Sequence, residues 1–151
     1  MPKSSFVLDD WKRFYSNNEG EEVLKYFWEK LDKEGWSLWF CDYKYNDELD
    51  VMFKTLNLLG GYIQRSDACR KYAFGSLLIF GEEPKLSISG CWLFRGQEVP
   101  QVVKDVDDTE HYNWTRVNVD SEDDKKKVNE FWLWQGDFGG KKFSGQAKVF
   151  K

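Results

Sequence analysis

Nucleophilic catalysis by a serine or cysteine at neutral pH needs an adjacent base, and this chain offers a single histidine for it, His111. Its sequence neighbours are an acidic stretch and Tyr112, so a structural or solvated histidine is expected. Cys41, Cys69 and Cys91 are widely spaced and form no C-x-x-C pair. A zinc site wants closely spaced Cys or His ligands, so no metal is expected. Asp137-Phe138-Gly139 copies the magnesium-binding tripeptide of protein kinases, but the Gly-rich loop, the lysine strand and the H-R-D motif are missing. The glycine pairs at 60–61 and 139–140 lack the Lys-Ser/Thr of a phosphate loop and suit hinges or turns. Asn113-Trp114-Thr115 is a glycosylation sequon with no signal peptide before it, and Trp114 suits a packed strand.

Carboxylate pairs at Glu82–Glu83 and Asp107–Asp108 fall in expected loops, where solvation denies them the raised pKa that acid–base work requires. The run from Glu122 to Lys127 places acids first and lysines after, which suits the opening turns of a solvated helix. Interaction chemistry remains. Trp39, Tyr43 and Tyr45 share one face of an expected strand; Arg65, Arg70 and Lys71 precede the central hairpin and Arg95 closes it. Aromatics with interleaved arginines are hot-spot material at protein interfaces and also stack on single-stranded nucleic acid. The alternative is that the aromatics are core and the arginines sit in ion pairs. Residue types alone leave both open.

The elements that would position these groups are organised around Phe74 to Glu98. Leu77, Leu78 and Ile79 between Phe74 and Phe80 form an apolar run that suits a strand covered on both faces. The connection Gly81 to Lys85 has hairpin chemistry, and the second arm sets Leu86, Ile88, Trp92 and Phe94 on one face. That face is expected to be core, with recognition beginning at Arg95. Leu8, Trp11 and Tyr15 predict a first short helix. Asn17 or Asn18 would cap a second, with Leu24, Phe27, Trp28 and Leu31 as its stripe and Gly35 as its stop. Trp36 to Tyr45 alternates as a strand. A helix follows with Leu49, Met52, Phe53 and Leu56 inward; Gly60-Gly61 is expected to break or kink it before it resumes over Ile63 to Tyr72. Val99 to Glu110 reads as a surface loop and His111 to Val119 as a strand. Ser121 opens a helix that ends at Gly136, and Ala147 to Lys151 adds a last strand.

This order predicts an α+β fold: an antiparallel sheet of about five strands with helices packed around it, and a split βαββαβ, ferredoxin-like core with N-terminal helices. At 151 residues the chain suits a single domain over 1–151, large enough to bury roughly 70% of its unfolded surface without disulfides or metal. An odd number of cysteines and no apolar run of membrane-spanning length point to a reduced, cytoplasmic setting. A net charge of −4 argues against nucleic-acid binding through a bulk positive field, although local patches remain open.

Four segments carry a family resemblance: PKSSFVLDDWKRFYSN (2–17), YFWEKLDKEGWSLWF (26–40), QRSDACRKYAFGSLLIFG (64–81) and SISGCWLFRGQE (87–98). With the closing Val149-Phe150-Lys151 they are similar to the C-terminal domain of the translation elongation factor 1-gamma family. The resemblance is dense to Glu98 and looser from Val99 to Asp124. It implies a sheet surrounded by helices. It also implies a scaffold domain of the complex that reloads the aminoacyl-tRNA carrier with GTP, in which another subunit is the exchange catalyst. No catalytic residue, cofactor or metal carries over. The partners implied are the other subunits of that complex, with tRNA or an aminoacyl-tRNA synthetase as further contacts. The candidate interaction surface is Trp39, Tyr43, Arg65, Arg70, Lys71 and Arg95. A rival is direct RNA or tRNA contact through the same basic residues; a third, least supported, is an enzyme with a pocket around Trp39 and His111.

Overall fold

The computed structural model describes residues 3–151; Met1 and Pro2, the latter opening the 2–17 segment, lie outside the described residues. The hairpin is the centre of the sheet. Strands β2 (Ala73–Glu82) and β3 (Lys85–Arg95) pair from Ala73↔Phe94 to Glu82↔Lys85, leaving only Glu83-Pro84 as the turn. With β1 (Trp36–Tyr43), β4 (Tyr112–Arg116) and β5 (Phe143–Phe150) they form one antiparallel sheet of order β4-β1-β3-β2-β5. The first four strands have the split βαββαβ order and β5 is added at the β2 edge.

Both faces of this sheet are covered, which explains why β2 is apolar without alternation. Over one face lie α3 (Met52–Arg65) and α4 (Gln101–Lys104); Leu59 and Tyr62 of α3 pack with Cys41, Leu77, Ile88, Trp92 and Phe94. Over the other lie α1 (Leu8–Asn17), α2 (Glu21–Lys30) and α5 (Glu122–Leu133). There Trp11 sits at the centre of a cluster with Phe27, Phe74 and Trp132, ring centroids 4.9 to 5.6 Å away. Trp36, Leu38 and Phe40 face this second layer, while Trp39, Cys41 and Tyr43 face the first, as the alternation requires. The Leu86–Phe94 face of β3 is core. So is its reverse, because Ser89, Cys91 and Leu93 are buried too.

Several boundaries differ from the sequence reading. Helix α3 runs unbroken through Gly60-Gly61 and stops at Arg65, and a short 3-10 turn at Asp67–Cys69 replaces the expected continuation to Tyr72. Burial of Leu59 and Tyr62 outweighs the cost of about 1 kcal/mol that a helical glycine carries. Gly20, at φ 78°, precedes α2 in place of Asn17 or Asn18; the Asn18 amide instead donates to the Phe14 carbonyl at the end of α1. Helix α2 ends at Lys30, so Gly35 belongs to the turn before β1. The stretch 99–110 is not a bare loop: it holds α4 and a 3-10 turn, Asp107–His111, with Val103 and Thr109 buried. Strand β1 stops two residues short of Tyr45 and β4 stops at Arg116. Helix α5 stops at Leu133, with Trp134 in the left-handed region at φ 60°, and β5 starts at Phe143.

Candidate interaction surface

The edge pair β1–β4 brings aromatic residues together on the α3 side. Its register sets Trp39 opposite Arg116, Cys41 opposite Trp114 and Tyr43 opposite Tyr112, so all six side chains share one face. The segment 99–110 folds back beside them because Thr109 is fixed from two sides. Its hydroxyl donates to the Val103 carbonyl at 2.7 Å and accepts from the Tyr62 hydroxyl at 2.8 Å. Between strand pair and segment lies an open cleft of about 520 Å³.

Half-buried Trp39 and Trp114, with buried Tyr112, line its floor. Both indole N–H groups are committed, Trp39 Nε1 to Ser37 Oγ and Trp114 Nε1 to the Thr109 carbonyl, each at 2.9 Å. The rings are therefore held in place and stay half-exposed in the cleft. Exposed Lys44 and Lys104 stand at the rim with Glu98 and Glu110, and none of the four makes an ion pair among the described residues. The Tyr112 hydroxyl is buried without a hydrogen-bond partner among the described residues, and burial pushes its pKa up. Arg116 sets its guanidinium carbon 5.9 Å from the Trp39 ring. It donates to the Gln97 carbonyl at 2.8 Å and also to Gln97 Oε1.

The residues singled out in the sequence do not assemble into one patch. Trp39 lines the cleft, but Tyr43 is only 8% exposed and packs edge-on against Tyr45 and Tyr112. Arg65 reaches across to Asp108 with two hydrogen bonds, 2.8 and 2.7 Å, and these hold the Asp108 carboxyl below the usual carboxylate range. Arg70 pairs with Asp67 at 2.8 Å. Exposed Lys71 makes no ion pair among the described residues. Arg95 lies on the opposite face of the sheet from α3, where its guanidinium donates to the Gly35 carbonyl and sits 5.6 Å from the Trp36 ring. Sequence reasoning missed Arg116, Lys44 and Lys104. Period-two spacing of Tyr112, Trp114 and Arg116 was the available signal; the register that puts Arg116 against Trp39 was not.

Conventional catalytic groups are poorly placed. His111 packs its ring against Tyr45, centroids 5.9 Å apart. All three thiols are free and buried, and burial raises their pKa values, which suppresses the thiolate a nucleophile needs. Among the described residues no group of three or more His, Cys, Asp or Glu is placed to hold a metal ion, and no helix is long and apolar enough to cross a membrane.

Comparison with known proteins follows the same outline. A family profile described as "Elongation factor 1 gamma, conserved domain" matches residues 1–98. The chain is 51% identical to elongation factor 1-gamma of Prunus avium over 155 aligned positions, covering 100% of this chain and 36% of that protein. It is 45% identical to elongation factor 1-gamma of Artemia salina, covering 100% of this chain and 36% of that protein. A probable elongation factor 1-gamma of Caenorhabditis elegans is 43% identical, with 100% and 38% covered. The chain thus spans little more than a third of the length of these relatives.

Proposed function

The chain belongs to the elongation factor 1-gamma family, and from that premise we propose that it is a non-catalytic interaction domain of the elongation factor 1 guanine-nucleotide-exchange complex. In this reading it supports translation elongation in the cytoplasm as a scaffold, and the exchange chemistry belongs to another subunit. The observation that supports it is the cleft floored by Trp39 and Trp114: two large rings, orientationally fixed and half exposed, beside rim charges that make no ion pair among the described residues. Such rigid aromatic anchors contribute most of the energy at protein interfaces and lose little entropy on binding. The scarcity of a credible nucleophile or base points the same way.

A titration of the domain against the purified partner subunits tests the proposal. Trp39→Ala and Lys104→Glu should each weaken binding while the urea midpoint shows that both variants remain folded. Folded variants that bind as wild type would refute the cleft, and nucleotide exchange by the domain alone would refute the non-catalytic role.

A second reading is direct contact with RNA or tRNA. It is favoured by the stackable faces of Trp39 and Trp114 beside Lys44 and Lys104. The basic residues first considered for it are less available, since Arg65 and Arg70 are held by Asp108 and Asp67. Binding that falls steeply with salt and weakens in Lys44→Glu would support this reading; salt-independent or absent binding would remove it.

A further inference from the structure

The opposite face of the sheet carries a separate, smaller cavity of about 340 Å³. It lies where α5 runs past the ends of β1 and β2, and residues 138–141 close its side. Four phenylalanines wall it: Phe40, Phe80, Phe131 and Phe138. Their rings stand 5.2 to 6.2 Å apart in tilted and edge-on pairs, Phe80–Phe138 the nearest and Phe80–Phe131 the farthest. Phe80 is buried and the other three are half-buried, so apolar surface faces into the opening.

The walls are held in place. Phe138 has a left-handed backbone at φ 50°, followed by Gly139 and Gly140 at φ 66° and 89°. The buried Glu130 carboxylate secures this segment by accepting the Asp137 N–H at 2.8 Å and the Phe138 N–H at 3.4 Å. A strained segment held by a buried acid is preorganised, so little order is lost when a ligand arrives.

The charged residues lining the cavity, Asp42, Glu130, Lys127 and Lys141, balance in number but are not equally committed. Asp42 accepts from the Ser89 hydroxyl at 2.6 Å and lies 3.9 Å from Lys141, and Glu130 is occupied by the two backbone N–H groups. Lys125, Lys126 and Lys142 pair with Glu122, Asp137 and Glu82. Exposed Lys127, 5.9 Å from the Phe40 ring, makes no ion pair among the described residues. The opening therefore sets one lysine without an ion-pair partner among the described residues, Lys127, beside an aromatic well. Its volume is at the low end of the roughly 300–1,000 Å³ of ligand pockets, which suits one large side chain better than a nucleotide.

We propose that this cavity is a second docking site, which receives a segment of a protein partner bearing an aromatic side chain next to an acidic residue. The ring enters between Phe40, Phe131 and Phe138, and the adjacent carboxylate meets Lys127. The site is separate from the Trp39 cleft and lies across the sheet from it, so the domain can hold two partner segments at once.

The test is a titration of isotope-labelled protein with the peptide N-acetyl-Glu-Phe-amide, followed by NMR, with N-acetyl-Gln-Phe-amide as the control without charge. Expected are shifts at Phe40, Phe131 and Phe138, saturating at roughly millimolar peptide as a ligand of this size allows. The Gln peptide and a Lys127→Glu variant, an exposed change that leaves the core intact, should each weaken binding, the variant by about fivefold. Phe138→Gly, which removes a wall and relieves the positive φ, should abolish it. Absence of shifts up to about 10 mM peptide would overturn the proposal. So would equal binding of both peptides, insensitivity to Lys127→Glu, or shifts confined to Trp39 and Trp114.

Discussion

Trp92 lies flat on Gly75 across the β2–β3 ladder: a Cβ added at residue 75 would stand 2.4 Å from Trp92 Cδ2. The indole in turn touches Tyr62 of α3, Phe94 beside it and Phe150 of β5, centroids 5.4 to 5.7 Å away. One missing methyl thus lets one tryptophan join the central hairpin to a helix and to the last strand. Gly75→Ala should destabilise the domain by about 1–3 kcal/mol, the usual cost of overpacking a close-packed core, read as a lower urea midpoint. Gly60→Ala makes the contrasting case. It lies within α3 with open space around the would-be Cβ, and should stabilise by about 0.5–1 kcal/mol.

Thr109 anchors the segment that forms one wall of the Trp39 cleft. Thr109→Val keeps its shape but leaves the buried Tyr62 hydroxyl without this partner, while the Val103 carbonyl keeps only the Val106 N–H at 3.1 Å. A loss of about 1–3 kcal/mol is expected. Faster hydrogen exchange over residues 101–111 than elsewhere would show that the loss is local.

Asp108 has a folded pKa depressed first by its hydrogen bond from Arg65. A depressed carboxyl stabilises the fold fully above its unfolded value of about 3.9, and that contribution is lost as pH falls through the lower folded pKa. Arg65 is more than half exposed, so the pair is worth only about 0.2–1 kcal/mol. Urea denaturation of Arg65→Met should show that deficit at pH 7 and almost none at about pH 2.

Cys41, Cys69 and Cys91 are all buried, with thiols raised by desolvation. A thiol reagent at pH 8 should leave the native protein essentially unmodified and titrate three thiols in denaturant. Rapid reaction of a thiol in the native state would show that this burial is wrong.

Short-range pattern carried much of this fold. The apolar run Phe74 to Phe80 was legible as a doubly covered strand, and the alternation from Trp36 to Tyr43 as two buried faces, because side-chain direction follows residue number in a strand. Where α3 ends was not legible. The glycine pair argues for a break, and only the burial of Leu59 and Tyr62 against the sheet overrides it. The surface was harder still. Arg65 is neutralised by a residue 43 positions away, and Arg116 meets Trp39 through a cross-strand register that no local pattern specifies. The basic residues nearest the hairpin in sequence were therefore not the ones that the fold places beside the aromatic cleft.

Hydrogen exchange of this chain, alone and mixed with purified subunits of an elongation factor 1 complex, tests the proposed interaction role most directly. Slower exchange in the mixture is expected over residues 37–44 and 112–116, the strand pair carrying Trp39 and Trp114. Unchanged exchange there, with protection only elsewhere in the domain or none at all, would contradict it.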